Sequence, residues 1–108
     1  MPEFIFTYHG GEMPDTPEAG AEGMARWRAW ADNLGSALTN PGTPVGITKV
    51  LTPAGVSDEP SPHPIMGFSI LEAESMEAAL ELLKTCPHLD YGGTLDVSQM
   101  LPMPVDNI

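Results

Sequence analysis

The chain has 108 residues, of which 15 are acidic and 4 are basic, and its formal net charge is −11 at pH 7. This length predicts one domain. The acidity makes nucleic acid and anionic membranes poor partners, because proteins bind both through clustered Lys and Arg. The single cysteine excludes an internal disulfide, and no apolar run reaches the ~20 residues that span a bilayer, so a soluble cytoplasmic protein is expected.

The N-terminal third predicts a strand followed by a helix. Residues 4–9 are aromatic and β-branched and end at a double glycine, which is typical of a strand. Thr16, followed by Pro17 and Glu18, has the pattern of a helix start, and apolar spacing predicts the body of the helix over residues 21–34. The strand places Phe4, Phe6 and Tyr8 on one face, and Ile5, Thr7 and His9 on the other.

The middle of the chain predicts a turn, a second strand and a long loop. Residues 39–44 form a turn cluster rich in Pro and Gly, and residues 46–52 read as the second strand. Residues 56–64 contain three prolines and indicate a loop or a distorted hairpin. His63 lies between two of these prolines, and we expect it to be exposed and without a special role.

The C-terminal part predicts strand, helix, tight loop and strand. Residues 65–73 are apolar on both faces, as in a central strand, and Ser75 caps a helix that must end by Cys86, because Pro87 cannot continue it. Residues 94–101 form the closing strand and residues 102–108 a short C-terminal arm. The closing strand alternates, with Leu95, Val97 and Leu101 on one face and Thr94, Asp96 and Ser98 on the other.

The predicted order is strand, helix, strand, strand, helix, strand, within a single α+β domain. This is the ferredoxin-like plan, in which two helices cover one face of a four-stranded antiparallel sheet. The chain leaves the other face of the sheet without a cover, although the third strand is apolar there. We therefore expect a homodimer in which two copies pack sheet to sheet.

The segment GFSILEAESMEAALELLKTCPHLDYGGTLDVSQM is similar to the C-terminal half of YCII-related domain proteins. The shared features are the Gly-aromatic strand, the EA-S-(D/E)EAL helix and the CP-x-L…GG-x-x-(E/D)V closing strand. The N-terminal half resembles the family as well, with a short strand, a helix bearing Trp27 and Trp30, and NPGTPV before an extended strand. The resemblance covers essentially the whole domain.

The resemblance implies a dimeric α+β barrel, whose superfamily includes isomerases, monooxygenases and lyases of small, often aromatic, molecules. Most members of the family itself have no known activity. The better-known branch carries a His–Asp pair whose histidine lies in the first helix. This chain has no histidine between Gly10 and Pro62, so that pair does not carry over.

His88 and Asp90 form the first candidate site, because they flank Leu89 in the loop before Gly92 and Gly93. In an extended loop the two side chains point the same way, and Asp90 would orient His88 as a general base. The two glycines would let a ligand approach the backbone. The structural alternative is that His88 binds the last helical carbonyls while Asp90 caps a turn.

His9 is the second candidate base, because it meets the closing loop if the first and last strands are neighbours. Aromatic side chains near it would wall a substrate pocket, although two tryptophans at helical spacing are more often part of a core or an interface. Cys86 is expected to be a buried apolar filler, and neither a cofactor nor a metal motif is expected. The predicted wall consists of Tyr8, Trp27, Trp30 and Tyr91, with Gly92 and Gly93 at the loop.

Two functions remain open at this point. One is a cofactor-free enzyme that catalyses proton transfer, elimination or isomerisation of a small aromatic or lactone-like molecule in a dimer pocket. The other is a non-catalytic dimeric module that binds a metabolite or a partner. The missing histidine of the first helix favours the binding module, and the spacing of His88 and Asp90 favours the enzyme.

Overall fold

Strands and helices follow one another in the predicted order, with a short hairpin, a 3₁₀ turn and a one-turn helix in addition. The structure is a computed structural model and describes residues 1–12 and 14–102, so residues 103–108 of the predicted arm lie outside the described residues. In chain order the elements are β1 (Glu3–Gly10), α1 (Pro17–Leu34), a 3₁₀ turn (Gly35–Ala37), β2 (Asn40–Pro44), β3 (Leu51–Thr52), β4 (Gly55–Val56), β5 (Gly67–Glu72), α2 (Met76–Leu83), α3 (Pro87–Asp90) and β6 (Gly93–Gln99).

Four of the strands form one antiparallel sheet in the order β2-β5-β1-β6, and β3 pairs only with β4. Helices α1 and α2 pack on one face of this sheet, which confirms the ferredoxin-like α+β fold. Opposite residues of antiparallel neighbours share a face. The pairs Ile5–Ile70, Thr7–Phe68 and Thr7–Asp96 therefore lie on the second face, which we call the open face.

Both helices begin at the caps that the sequence predicts. The backbone N–H of Ala19 donates to the Thr16 hydroxyl over 3.0 Å, and that of Ala78 donates to the Ser75 hydroxyl over 3.1 Å. Each bond satisfies one of the N–H groups that the first helical turn leaves without a partner. The chain direction at the start of both helices is therefore set by local sequence.

The hydrophobic core lies between the helices and the sheet. Phe4 and Phe6 of β1 and Leu71 of β5 are each 0% exposed, and they pack against Trp30 of α1 and Leu83 of α2. Burial of each of these side chains contributes about 1.5–3 kcal/mol to folding. The alternation of β1 thus assigns its aromatic face to the helices and leaves Thr7 and His9 to the open face.

The second strand of the sheet is not where the sequence predicted it. Residues 40–44, predicted to be a turn cluster, form the edge strand β2, whereas only residues 51–52 of the predicted strand 46–52 pair, and they do so in the separate hairpin. Register slips between Asn40 and Thr43. Pro and Gly are tolerated at such an irregular edge, since an edge strand needs hydrogen bonds on one side only.

A chain of hydrogen bonds holds this edge strand to the core. Trp27 Nε1 donates to the Tyr8 hydroxyl (3.3 Å), Tyr8 donates to Ser69 (2.9 Å), and Ser69 donates to the carbonyl of Pro41 (2.7 Å). The direction of donation along this chain is fixed, because the Pro41 carbonyl at its end can only accept a hydrogen bond. Burial raises the pKa of Tyr8, so its hydroxyl keeps its proton at neutral pH. Ser69 is 0% exposed, and leaving such a group unbonded would be costly.

None of the helices within residues 1–12 and 14–102 combines the length and the apolar character needed to cross a bilayer.

Gly42 should be indispensable for the position of β2. A Cβ at this residue would lie 1.7 Å from the carbonyl oxygen of Phe68, and its φ of +71° is one that L side chains rarely adopt. We expect Gly42→Ala to lower the free energy of unfolding by roughly 2–4 kcal/mol, measured by urea denaturation. Gly46→Ala is the control, because a Cβ there meets nothing within 4 Å. Equal stability of the two variants would contradict this account of the edge strand.

Candidate functional site

His9 lies at the end of β1 on the open face, where the loop before β5 covers it. The residue is 4% exposed, and its Nδ1 lies 3.0 Å from the carbonyl oxygen of Pro64. A carbonyl oxygen can only accept a hydrogen bond, so Nδ1 carries the proton. In the neutral ring Nε2 then carries a lone pair and can accept. The hydroxyl of Thr7, two residues earlier on the same face, donates to Nε2 over 2.7 Å.

Asp96 lies close to His9 and to a second histidine, His63. It lies opposite Thr7 in the pairing of β1 with β6, and its Oδ2 is 3.4 Å from His9 Nε2 and 3.3 Å from His63 Nε2. The two imidazole rings stack, with centroids 3.8 Å apart and planes 9° from parallel. One carboxylate oxygen thus contacts a buried and an exposed histidine, since the side chain of His63 is 57% exposed.

A cavity of about 330 Å³ opens beside these residues. Its walls include the polar residues His9, His63 and Thr94 together with Met66 and Gly92. This volume is at the lower end of the range of roughly 300–1,000 Å³ that small-molecule sites occupy. The cavity offers a ligand two imidazoles and the apolar side chain of Met66, and the Asp96 carboxylate contacts both imidazoles without lining the cavity.

The predicted pairing of His88 with Asp90 is not formed. Residues 87–90 make the helical turn α3 and not an extended loop, so the two side chains diverge. His88 Nε2 donates to the backbone carbonyl of His9 over 2.9 Å, and Asp90 Oδ2 pairs with Arg26 Nη2 at 2.5 Å. The structural alternative was also wrong in detail, because the carbonyl that His88 binds belongs to β1. A catalytic role for either residue stays a prediction.

The glycines near His88 accommodate its ring. A Cβ on Gly93 would lie 2.1 Å from His88 Nε2, and one on Gly11 would lie 3.0 Å from its Cε1. The ring also meets Tyr8 edge-on at 5.4 Å. Gly93 therefore makes room for a side chain of the chain itself, whereas Gly92 lines the cavity.

The predicted aromatic wall is divided between several places. Tyr8 faces the helices, on the side of the sheet opposite His9, and Trp27 of α1 donates to its hydroxyl. Trp30 is a core residue, 7% exposed, that donates to Thr85. Tyr91 lies against α1, where Arg26 Nη1 donates to its hydroxyl over 3.2 Å. These four side chains do not enclose one pocket with His9.

Cys86 has no accessible reactive thiol. The residue is 1% exposed within the core, and burial raises the pKa of the thiol to about 11, so the thiolate is absent at neutral pH. Its prediction as a buried filler is confirmed.

Two residues of this site were missed in the sequence. Asp96 could have been found, because the alternation places it on the polar face of the last strand, and Thr7 and His9 lie on the corresponding face of the neighbouring first strand. The sequence around His63 does not indicate a site, because the position of this residue depends on how the loop of residues 57–66 folds back over β1. The three histidines are scattered in sequence, and the fold brings two of them together.

Comparison with known proteins confirms the fold and does not assign a family. No family model matches the chain, and no curated protein matches it. Among solved structures, the chain is similar to 5-chloro-2-hydroxyhydroquinone dehydrochlorinase (TftG) of Burkholderia phenoliruptrix in complex with 2,5-dihydroxybenzoquinone. The identity is 17%, the TM-score is 0.55, and the match covers 92% of this chain and 95% of that one.

Proposed function

We propose that this chain is a dimeric, YCII-like small-molecule enzyme whose site is the cavity beside His63, Asp96 and His9 on the open face. One observation carries the proposal: an exposed histidine that lines a cavity lies 3.3 Å from a carboxylate. Surface histidines are common, but one that is stacked on a buried histidine and shares its carboxylate is held in a defined orientation.

His63 is the proton acceptor in this proposal. With the proton on Nε2, which lies 3.3 Å from Asp96 Oδ2, the ring presents Nδ1 as its basic nitrogen. Histidine is the side chain most often used for proton transfer near neutral pH. His9 is a positioning residue, because it anchors Pro64 through Nδ1 and supports the His63 ring by stacking. Thr7 completes the arrangement by fixing His9 from the other nitrogen.

Proton transfer, elimination or isomerisation is the reaction class that such a base supports. These reactions need a base, and an acid to return the proton, and one histidine can serve as both. The substrate class we propose is a small hydroxylated or lactone-like ring. Its apolar part would contact Met66, and its oxygens would face the imidazoles. The fold shared with a dehydrochlorinase crystallised with a dihydroxybenzoquinone supports this choice.

The proposed dimer uses the open face of the sheet. Ile5, Phe68 and Ile70 lie there, partly exposed, and no helix within the described residues packs on them. The hairpin of β3 and β4 adds exposed apolar side chains, since Leu51 is 77% and Val56 is 62% exposed. A second copy would cover the apolar side chains of this face, and it would bring a further wall to the cavity, which lies on the same face.

The alternative is a non-catalytic dimeric module that binds a metabolite. Two observations favour it: the first helix carries no histidine, and the buried His9 offers little surface to a substrate. In that case the same cavity would bind a ligand without catalysing a reaction. The two functions differ in whether a bound molecule exchanges protons with solvent.

Light scattering tests the dimer. We expect a mass of twice the 11.5 kDa of one chain at micromolar concentration, and we expect Phe68→Asp to give the monomer mass, because it places a charge in the apolar interface. Leu80→Asp is the matched control, since Leu80 is 48% exposed on α2, on the other side of the sheet. A monomeric wild type would refute the proposed assembly.

A thermal-shift screen tests the site, with small phenols, aromatic acids and lactones, and with EDTA in every well. A ligand at about 100 times its dissociation constant adds ~2.7 kcal/mol of stability, which raises the melting temperature by several degrees. We expect hits that are lost in His63→Ala and kept in Glu59→Gln, an exposed change in the same loop. Hits that survive in His63→Ala would place the ligand elsewhere.

Deuterium exchange then separates the two functions. In D₂O, an enzyme of this kind should replace the acidic proton of a bound ligand, as seen by NMR. His63→Ala should slow that exchange by about 10²–10⁴-fold, the usual contribution of a general base. Binding by the wild type without any exchange would contradict the enzyme and leave the binding module.

A further inference from the structure

We propose that His9, His63 and Asp96 together form a binding site for a divalent transition-metal ion such as Zn²⁺. The inference goes beyond the proposed function and does not depend on it, because a metal site can exist in an enzyme or in a binding module. Each residue offers one ligand atom, and the three atoms lie within 4.8 Å of one another. Two imidazoles and one carboxylate are a ligand set that zinc and iron sites use.

The ligand spacing fits a tetrahedral ion. Zinc bonds to nitrogen and oxygen measure about 2.0–2.2 Å, so neighbouring ligand atoms of a tetrahedron lie roughly 3.3–3.5 Å apart. Asp96 Oδ2 is 3.4 Å from His9 Nε2 and 3.3 Å from His63 Nε2. The carboxylate thus already lies at the distance from each imidazole that a shared metal ion would require.

His9 is oriented as a metal ligand before any metal is bound. Its Nδ1–H donates to the carbonyl of Pro64, which is the outer bond that metal-binding histidines commonly make, and this bond leaves Nε2 as the ligand atom. The ring is 4% exposed, so its position is fixed by packing. A buried, oriented imidazole loses little freedom on binding an ion.

The charges around Nε2 of His9 also favour a cation. In the neutral ring Nε2 carries a lone pair, and this atom lies 3.4 Å from Oδ2 of Asp96. These two electron-rich atoms repel each other, and a cation bound between them would turn this repulsion into attraction. A bound metal ion would supply that positive charge, and the net charge of −11 attracts it.

Metal binding requires two local movements, because the Thr7 hydroxyl must turn its proton away from His9 Nε2 and the His63 ring must also move. The rings of His9 and His63 are 9° from parallel, so their lone pairs do not converge on one point, and His63 must tilt out of the stack. This movement is possible because the His63 side chain is 57% exposed and lies in a loop outside the sheet. Three protein ligands then leave open positions on the ion toward the cavity, where an oxygen of a ligand can bind.

Calorimetric titration of the chain with ZnCl₂, without an affinity tag and after treatment with EDTA, tests the site. We expect one ion per chain. His63→Ala and Asp96→Asn should each weaken binding by more than tenfold, since even outer-shell changes weaken metal sites by about 10–100-fold. Glu59→Gln should bind Zn²⁺ as the wild type does, which controls for the acidic surface. The Co²⁺-loaded wild type should show a visible d–d spectrum that both ligand variants lose.

Two results would overturn the inference. One is the absence of Zn²⁺ binding by the wild type. The other is equal affinity in His63→Ala, Asp96→Asn and Glu59→Gln, which would place the ion on the general acidic surface. Both ligand residues are exposed, so these variants should fold. The ligand screen contains EDTA, so its result and that of the titration are independent.

Discussion

The antiparallel pairing of β1 with β6 is the contact on which both the fold and the site depend. It joins the first strand of the chain to the last, with Thr7 opposite Asp96, His9 opposite Thr94 and Gly10 opposite Gly93. On the open face this register brings the Asp96 carboxylate to the His9 ring. At the end of the same pair, Gly93 leaves the space in which the His88 ring reaches the carbonyl of His9.

The two faces of the sheet use their polar side chains differently. On the helix face, the hydrogen bonds from Trp27 through Tyr8 and Ser69 to the Pro41 carbonyl hold structural elements together. On the open face, His63 and Asp96 are exposed beside a cavity. A buried polar group must find its hydrogen-bond partners within the protein, whereas an exposed polar group can exchange its partner for a ligand. The exposed polar groups of the open face can therefore meet a ligand, whereas the His88 imidazole is bonded to the carbonyl of His9.

Much of the fold follows from local patterns in the sequence, and the site follows from contacts between distant residues. Alternation in β1 and the caps Thr16 and Ser75 predicted the strand faces and helix starts, because both are decided by near neighbours. The second strand was misplaced, since the Pro–Gly segment at residues 40–44 becomes a strand only through Ser69 and the backbone of Phe68. The pairing of His88 with Asp90 failed because α3 turns the two side chains apart. His63 reaches Asp96 by loop folding, which periodicity does not predict.

The central claim is that Asp96 joins His9 and His63 into one site while His88 belongs to the structure. Long-range ¹H–¹⁵N NMR of the imidazole nitrogens tests it most directly, in the wild type and in Asp96→Asn. The account predicts that the resonances of His9 and His63 both move in the variant and that those of His88 stay in place. Unchanged His9 and His63 resonances, or a change confined to His88, would contradict it.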